Sequence, residues 1–211
     1  MIQIQYKKTK QKPYLIVMCG LPGSGKSTFA RNSITIDNGE EVYKPKIYSS
    51  DKIRKEIYHK SKITKTENKM LFAEIHERLK LELLSGRDII FDATSINCKS
   101  RGELLTALKD VDYLPVCIYI DAPFSICLQN NLGRTPKKRV PTYVIENMAR
   151  VKEAPKYEEG FYDIRCISSV IVEDKDIIKR TKRKRKERQE NKEITEQFNK
   201  MFRKAHKRDE N

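Results

Sequence analysis

The 211-residue chain has no tryptophan, only three histidines, and five cysteines with no C-x-x-C pair among them. An odd, scattered set of cysteines does not make a disulfide framework, and a structural zinc site is not expected. Cys19 and Cys117 lie inside apolar runs and read as small core residues. A reducing, cytoplasmic setting is therefore expected. His59, His76 and His206 are too scattered to suggest a metal site. No apolar run approaches the ~20 residues needed to cross a bilayer, and the polar start, Met1 to Lys8, does not read as a secretory signal. Acid is the minority charge: 29 Asp/Glu stand against 44 Lys/Arg, a formal net charge of +15. Such an excess predicts attraction to polyanions, with nucleic acid first among them.

The charge is unevenly placed. Residues 179–211 hold 14 Lys/Arg and 6 Asp/Glu, so they carry +8 of the net +15. The low apolar content of 38% and the high charged content of 35% fit a globular body with a solvated appendage. Three parts are expected: a polar, loose lead-in over 1–13, a body over 14–172, and a basic tail over 173–211, helical or partly disordered. Within the tail, Lys182–Lys186 is a basic block. Ile194, Phe198, Met201 and Phe202 follow as a narrow stripe at helical spacing, suited to docking on the body, on a nucleic-acid backbone, on a membrane or on a protein partner.

Short, nearly continuous apolar runs alternate with helical patterns through the body. Tyr14–Cys19, Lys46–Ser50, Asp88–Asp92, Leu114–Ile120 and a segment within 161–172 read as strands. A turn-rich connection with Asp37-Asn38-Gly39 follows the first helix. Thr64 and Glu67 form a capping-box pattern at the start of a helix that runs to about Ser85. This alternation predicts an α/β fold, a parallel sheet with helices on both faces. Ligands of such sheets bind beyond the carboxyl ends of the strands, and Gly20, Asp51, Asp92 and Asp121 all fall at expected strand ends.

Gly20-Leu21-Pro22-Gly23-Ser24-Gly25-Lys26-Ser27 matches G-x-x-x-x-G-K-[ST] between an expected strand and an expected helix. That context makes it a P-loop, in which backbone N–H groups of a glycine-rich turn and a helix start cradle phosphate. Lys26 is the mobile cation for the β/γ-phosphates, and the Ser27 hydroxyl is a natural Mg²⁺ ligand. Asp51, just past a strand, is the candidate general base, with Arg54 three residues on to fix an acceptor; the alternative is an N-cap aspartate. Asp92 after Ile89-Ile90-Phe91 has the form of a metal-holding carboxylate. Thr94 and Asn97 can contact phosphate or acceptor, or bond the local backbone. Arg134, Lys137, Lys138 and Arg139 crowd a loop over about 133–140, either a lid that delivers positive charge to a transferring phosphoryl group or a solvated basic loop.

Taken in order, Gly20–Thr28, Ser50-Asp51-x-x-Arg54, Phe91-Asp92-x-Thr94-x-x-Asn97, Arg134 with Arg139-Val140-Pro141, and Glu159-Gly160-Phe161 resemble the P-loop kinases related to phage polynucleotide 5′-hydroxyl kinase, together with their zeta-toxin and AAA-type small-kinase relatives. The resemblance covers roughly 14–172. It implies ATP and Mg²⁺ bound at Gly20, Gly23, Ser24, Gly25, Lys26, Ser27 and Thr28. Arg134 and Arg139 are then on the donor phosphates, Asp92 is at the metal or acceptor, and Arg54, Thr94 and Asn97 are at the acceptor. Asp51 becomes the base for a 5′-hydroxyl. One position departs: Asn130 stands where such kinases usually carry another lid arginine.

The expected reaction is transfer of the ATP γ-phosphate to a hydroxyl acceptor, foremost the 5′-OH end of RNA or DNA. The alternatives are a small-molecule alcohol kinase of the same fold, and a weakly hydrolytic nucleotide-binding module that holds RNA or a partner through its tail. Deleting residues 179–211 is expected to raise KM for a polynucleotide acceptor and flatten its salt dependence, with kcat little changed. Steady-state kinetics at several salt concentrations check this, and an unchanged slope removes the tail from substrate binding.

Overall fold

In a computed structural model, residues 2–8, 12–60 and 63–168 are described. The basic tail expected over 173–211 lies outside the described residues. The centre of the fold follows from runs of residues apolar on both faces. β2 (Tyr14–Cys19) is buried at all six positions, as is β6 (Ile89–Asp92) at all four. β7 (Leu114–Asp121) is buried throughout except at Pro115 and Asp121. Strands that alternate nothing must be covered on both sides. With β5 (Lys46–Ser49) and β8 (Asp163–Ser168) they form a fully parallel five-stranded sheet in the order β5-β6-β2-β7-β8.

Successive side chains point to opposite faces and divide the core. Leu15, Val17 and Cys19 with Ile89 and Phe91 face α2 (Ser50–Tyr58), α3 (Lys65–Leu84) and α4 (Cys98–Ala107), which supply Ile53, Leu71, Ile75, Leu79, Leu83 and Leu104. Ile16, Met18, Ile90, Val116 and Ile118 face the other way, towards Ala30 of α1 (Lys26–Asn32). The capping box at Thr64 is formed, with Glu67 N–H donating to Thr64 Oγ1 at 3.2 Å and Thr64 N–H to the Glu67 carboxylate at 2.7 Å. α5 (Phe124–Leu132) and α6 (Thr142–Arg150) follow β7.

Two segments differ from their sequence-based expectation. Where a loose lead-in and a turn-rich connection are predicted, β1 (Ile4–Lys7) pairs in parallel with β3 (Ile34–Asp37), which pairs antiparallel with β4 (Val42–Tyr43). The reason is a period-2 pattern too short to stand out: Tyr6, Ile34 and Ile36 point inward and are buried on the α1 side of the core. Buried Asp88 joins this small sheet to the large one. Its carboxylate accepts from the Tyr14 amide at 2.7 Å, from Lys8 Nζ at 2.8 Å and from the Tyr43 hydroxyl.

The largest fully buried side chain is charged. Arg101, on α4, is 0% exposed and makes a two-pronged ion pair with Glu159, Nε to Oε2 and Nη2 to Oε1, each at 2.7 Å. Its Nη1 donates to the carbonyls of Ser95 at 3.1 Å and Glu153 at 3.0 Å. These bonds hold the guanidinium well above its ordinary pKa against the desolvation of burial. Removing one partner of a buried pair strands the other charge, whereas replacing both with apolar residues is often tolerated. Arg101→Ala is expected to lower stability by about 3–5 kcal/mol, and the double change Arg101→Met with Glu159→Leu to recover most of it. Urea unfolding of the three proteins measures this; equal losses in single and double variants would mean the pair's hydrogen bonds, not the stranded charge, set the cost.

Candidate functional site

The strand-to-helix turn after β2 is shaped by what surrounds it. Gly23 sits at φ 86°, and a β-carbon there would lie 2.2 Å from the Cys127 carbonyl oxygen of α5. Gly20, at φ 145°, would place one 2.6 Å from the Ile120 carbonyl oxygen. Neither position admits a side chain, so the backbone itself lines the turn. Asn130 Nδ2, from the next turn of α5, donates to the Gly23 carbonyl at 2.9 Å. The residue that departs from the kinase pattern therefore holds the P-loop in place.

Lys26 opens α1 and is 7% exposed, with Nζ folded back onto the Gly20 and Leu21 carbonyls at 2.8 Å each. Burial pushes its ammonium down to about 8; Asp92 is the largest opposing influence, and the charge of Arg134 adds to the depression. Ser24 Oγ is buried without a hydrogen-bond partner among the described residues. Ser27 is half-buried and Thr28 exposed in the first turn of α1.

The register brings the strand-end residues together. Ser49 at the end of β5 lies opposite Asp92 at the end of β6, and Asp92 opposite Met18 of β2. Asp51, Asp92 and the P-loop thus leave three adjacent strands at one edge. Asp51 lies inside the first turn of α2 and does not cap it; its carboxylate is 78% exposed and takes Arg54 Nη1 at 2.5 Å, the guanidinium being 20% exposed. Asp92 is buried beside Lys26. The loop beyond it is fastened to the P-loop, Gly20 N–H donating to the Thr94 carbonyl at 3.1 Å and Cys19 Sγ to the Ser95 carbonyl at 3.1 Å. Ser95 is held at φ 39°, a conformation a non-glycine residue keeps only when its surroundings impose it. Asn97 is the N-cap of α4, its Oδ1 accepting from Ser100 N–H at 3.0 Å.

Of the basic loop, Arg134 is half-buried and its charge reaches Lys26. Arg139 is exposed, and its Nη2 donates to the Leu132 and Arg134 carbonyls at 2.8 and 3.2 Å, closing the end of α5. Lys138 is exposed. Asp121, at the end of β7, accepts from Lys152 Nζ at 2.8 Å, which holds its carboxyl below its ordinary value. Sequence reasoning missed Arg101, and it saw Glu159 as part of a motif without its role as the partner of Arg101; the one signal for Arg101 was its place three and seven residues before Leu104 and Leu108, on one helical face.

The donor set suits a polyphosphate: a buried cation, an orphaned serine hydroxyl and a glycine-rich turn with Gly25 exposed at the helix start. Among the described residues no three His, Cys, Asp or Glu side chains converge as a metal cluster. A divalent ion beside Ser27 and Asp92 would take its remaining ligands from phosphate and water, as Mg²⁺ commonly does.

A family model described as an AAA domain matches residues 15–155. The chain belongs to that family, and its sheet has the P-loop kinase fold. It is 29% identical over 153 residues to the L-seryl-tRNA(Sec) kinase of Methanococcus maripaludis, across 71% of this chain and 57% of that protein. It is 24% identical over 172 residues to the bifunctional polynucleotide phosphatase/kinase of Schizosaccharomyces pombe, across 80% of this chain and 36% of that one. The chain thus spans about half or less of the curated relatives it matches. Among solved structures, the Pnkp1/Rnl/Hen1 RNA repair complex superimposes with a TM-score of 0.57 at 21% identity, over 67% of this chain and 44% of that one. No helix among the described residues is long and apolar enough to cross a membrane.

The Lys26 shift has a sign. Below about pH 8 the ammonium is charged and attracts phosphate; above it the free protein loses that charge. Affinity for ATP is expected to fall as pH rises through about 8, and this slope to flatten in Lys26→Met. Calorimetric titration between about pH 7 and 9 checks it; an equally steep slope in Lys26→Met assigns the titration elsewhere.

Proposed function

We propose that the protein is an ATP-dependent phosphotransferase whose acceptor is the 5′-hydroxyl end of a polynucleotide. The observation that carries the reading is the convergence at one sheet edge of the P-loop with Lys26, the buried Asp92 and the Asp51–Arg54 pair. A nucleotide switch or motor has no need of a carboxylate–guanidinium pair beside its phosphates; a transfer to an alcohol has.

In this reading Gly20, Gly23, Ser24, Gly25, Lys26, Ser27 and Thr28 hold the triphosphate, and Ser27 and Asp92 hold Mg²⁺. The metal would neutralise charge on the phosphates. Lys26 exchanges its two loop carbonyls for phosphate oxygens. Asp51, open to solvent, accepts the acceptor hydroxyl proton, while Arg54 holds Asp51 in position and meets the acceptor's next phosphate. Arg134, whose charge already reaches Lys26, is the lid cation on the donor. Arg139 anchors the lid loop and reaches donor phosphates when it closes. Thr94 and Asn97 flank the acceptor.

The net charge of +15 supports a polyanionic acceptor. So do the two curated relatives, one named for a polynucleotide and the other for a tRNA that carries a seryl group. The setting proposed is cytoplasmic, in keeping with unpaired cysteines.

Transfer of labelled γ-phosphate at low salt with Mg²⁺, compared among 5′-OH oligonucleotides, aminoacylated tRNA, nucleosides and sugars, tests the acceptor. Asp51→Ala is expected to lower transfer at least 10²-fold while ATP affinity stays within about twofold. Absence of any labelled 5′ end would sink the polynucleotide reading. Lost ATP binding in Asp51→Ala would make that carboxylate a structural or metal-holding group.

A further inference from the structure

A cavity of about 160 Å³ opens beside the loop that follows β6, lined in part by Phe72, His76, Phe91, Thr94, Asn97 and Ser100. Cavities of about this size accept one aromatic ring. Its walls are largely apolar, with rings among them: the Phe72 and His76 rings stand edge to face, their centroids 6.2 Å apart at 61°. Polar groups collect on one side. Asn97 has its Oδ1 engaged by Ser100 N–H, which leaves its amide nitrogen free to donate, and Thr94 is half-buried beside it. Exposed Ser100 stands at the rim.

The position matters as much as the lining. The cavity lies on the face covered by α2, α3 and α4, whereas α1 covers the opposite face. Asp51 and Arg54 ride on α2, two and five residues past Ser49; Thr94 lies two residues past Asp92; and Ser49 and Asp92 are register partners. The pair at the acceptor hydroxyl and the polar rim of the cavity therefore leave the sheet side by side.

Resting on the phosphotransferase reading above, we propose that this cavity receives the terminal nucleobase of the acceptor, stacked against Phe72 with its polar edge towards Thr94 and Asn97. A polyhydroxylic sugar fits poorly here, since the largely apolar walls leave hydroxyls turned away from Thr94, Asn97 and Ser100 without partners. A base needs partners along one edge and apolar contact on its faces, as single-strand binders provide. Burial lowers the pKa of His76, so the ring beside Phe72 is neutral at neutral pH and suited to an uncharged ligand.

The test compares two 5′-OH oligonucleotides that differ only in whether the first residue carries a base or is abasic. The base-bearing end is expected to have a kcat/KM at least about tenfold higher. Phe72→Ala, which removes a wall, and Ser100→Phe, which fills the mouth from an exposed position, are each expected to bring the ratio near one. Because the ratio is taken within one protein, partial loss of folding cancels. Equal rates on both ends in the unaltered chain overturn the pocket. If the ring bound were the adenine of ATP, Ser100→Phe would raise KM for ATP and leave the ratio intact, which also overturns it. Should no 5′ end be phosphorylated at all, the function reading falls. The pocket is then judged by nuclear magnetic resonance of the His76 ring on adding the two oligonucleotides without ATP. A shift with the base-bearing end alone, lost in Ser100→Phe, upholds it, and identical spectra overturn it.

Discussion

A single buried guanidinium sets the geometry on which the rest of the site depends. Arg101 has no exposed surface and cannot keep its charge there without every acceptor it reaches. Those acceptors come from three places: the Ser95 carbonyl on the loop after β6, the Glu153 carbonyl beyond α6, and the Glu159 carboxylate ahead of β8. Segments far apart in sequence are therefore drawn to one point beneath the carboxyl edge of the sheet. Ser95 stays in an unfavourable backbone conformation because Arg101 and Cys19 both hold its carbonyl. That posture fixes Thr94, whose carbonyl in turn secures the first glycine of the P-loop. The phosphate cradle and the region proposed for the acceptor share one anchor, and neither can drift without the other.

Most of this edge was legible from sequence because it is built from local patterns. G-x-x-x-x-G-K-S between a strand and a helix, a carboxylate at or just past the ends of three apolar runs (Asp51, Asp92 and Asp121), and T-x-x-E opening a helix each occupy a few consecutive residues and carry their own geometry. The parallel sheet follows from strands buried on both sides, and the structure has all five in register. The basic loop was recognisable as a cluster, but not the division within it. The charge of Arg134 reaches Lys26, while Arg139 closes the end of α5.

What escaped depends on partners distant in the chain. Arginine reads as surface on composition alone, and only its place on the Leu104–Leu108 stripe hinted otherwise. Glu159 could be seen as part of a motif without its role, because its partner lies 58 residues away. The small sheet escaped because Ile4–Lys7 and Ile34–Asp37 are short strands with two inward side chains each. They are strands only because they have each other and the α1 face to cover. Asn130 stood out as a departure from pattern; its bond to Gly23 could not be read without the fold. The cavity escaped for the same reason, since Phe72 and Asn97 meet only when α3 and α4 are laid over β6.

The self-contact of Lys26 has a consequence for selectivity. Its ammonium already has two carbonyl oxygens at 2.8 Å, so the cradle competes with its own ligand. An incoming anion has to surpass two well-placed neutral acceptors and still satisfy the buried hydroxyl of Ser24. A ligand that offers Lys26 one oxygen replaces one of those carbonyls, whereas a chain of linked phosphates can replace both and reach Ser24 as well.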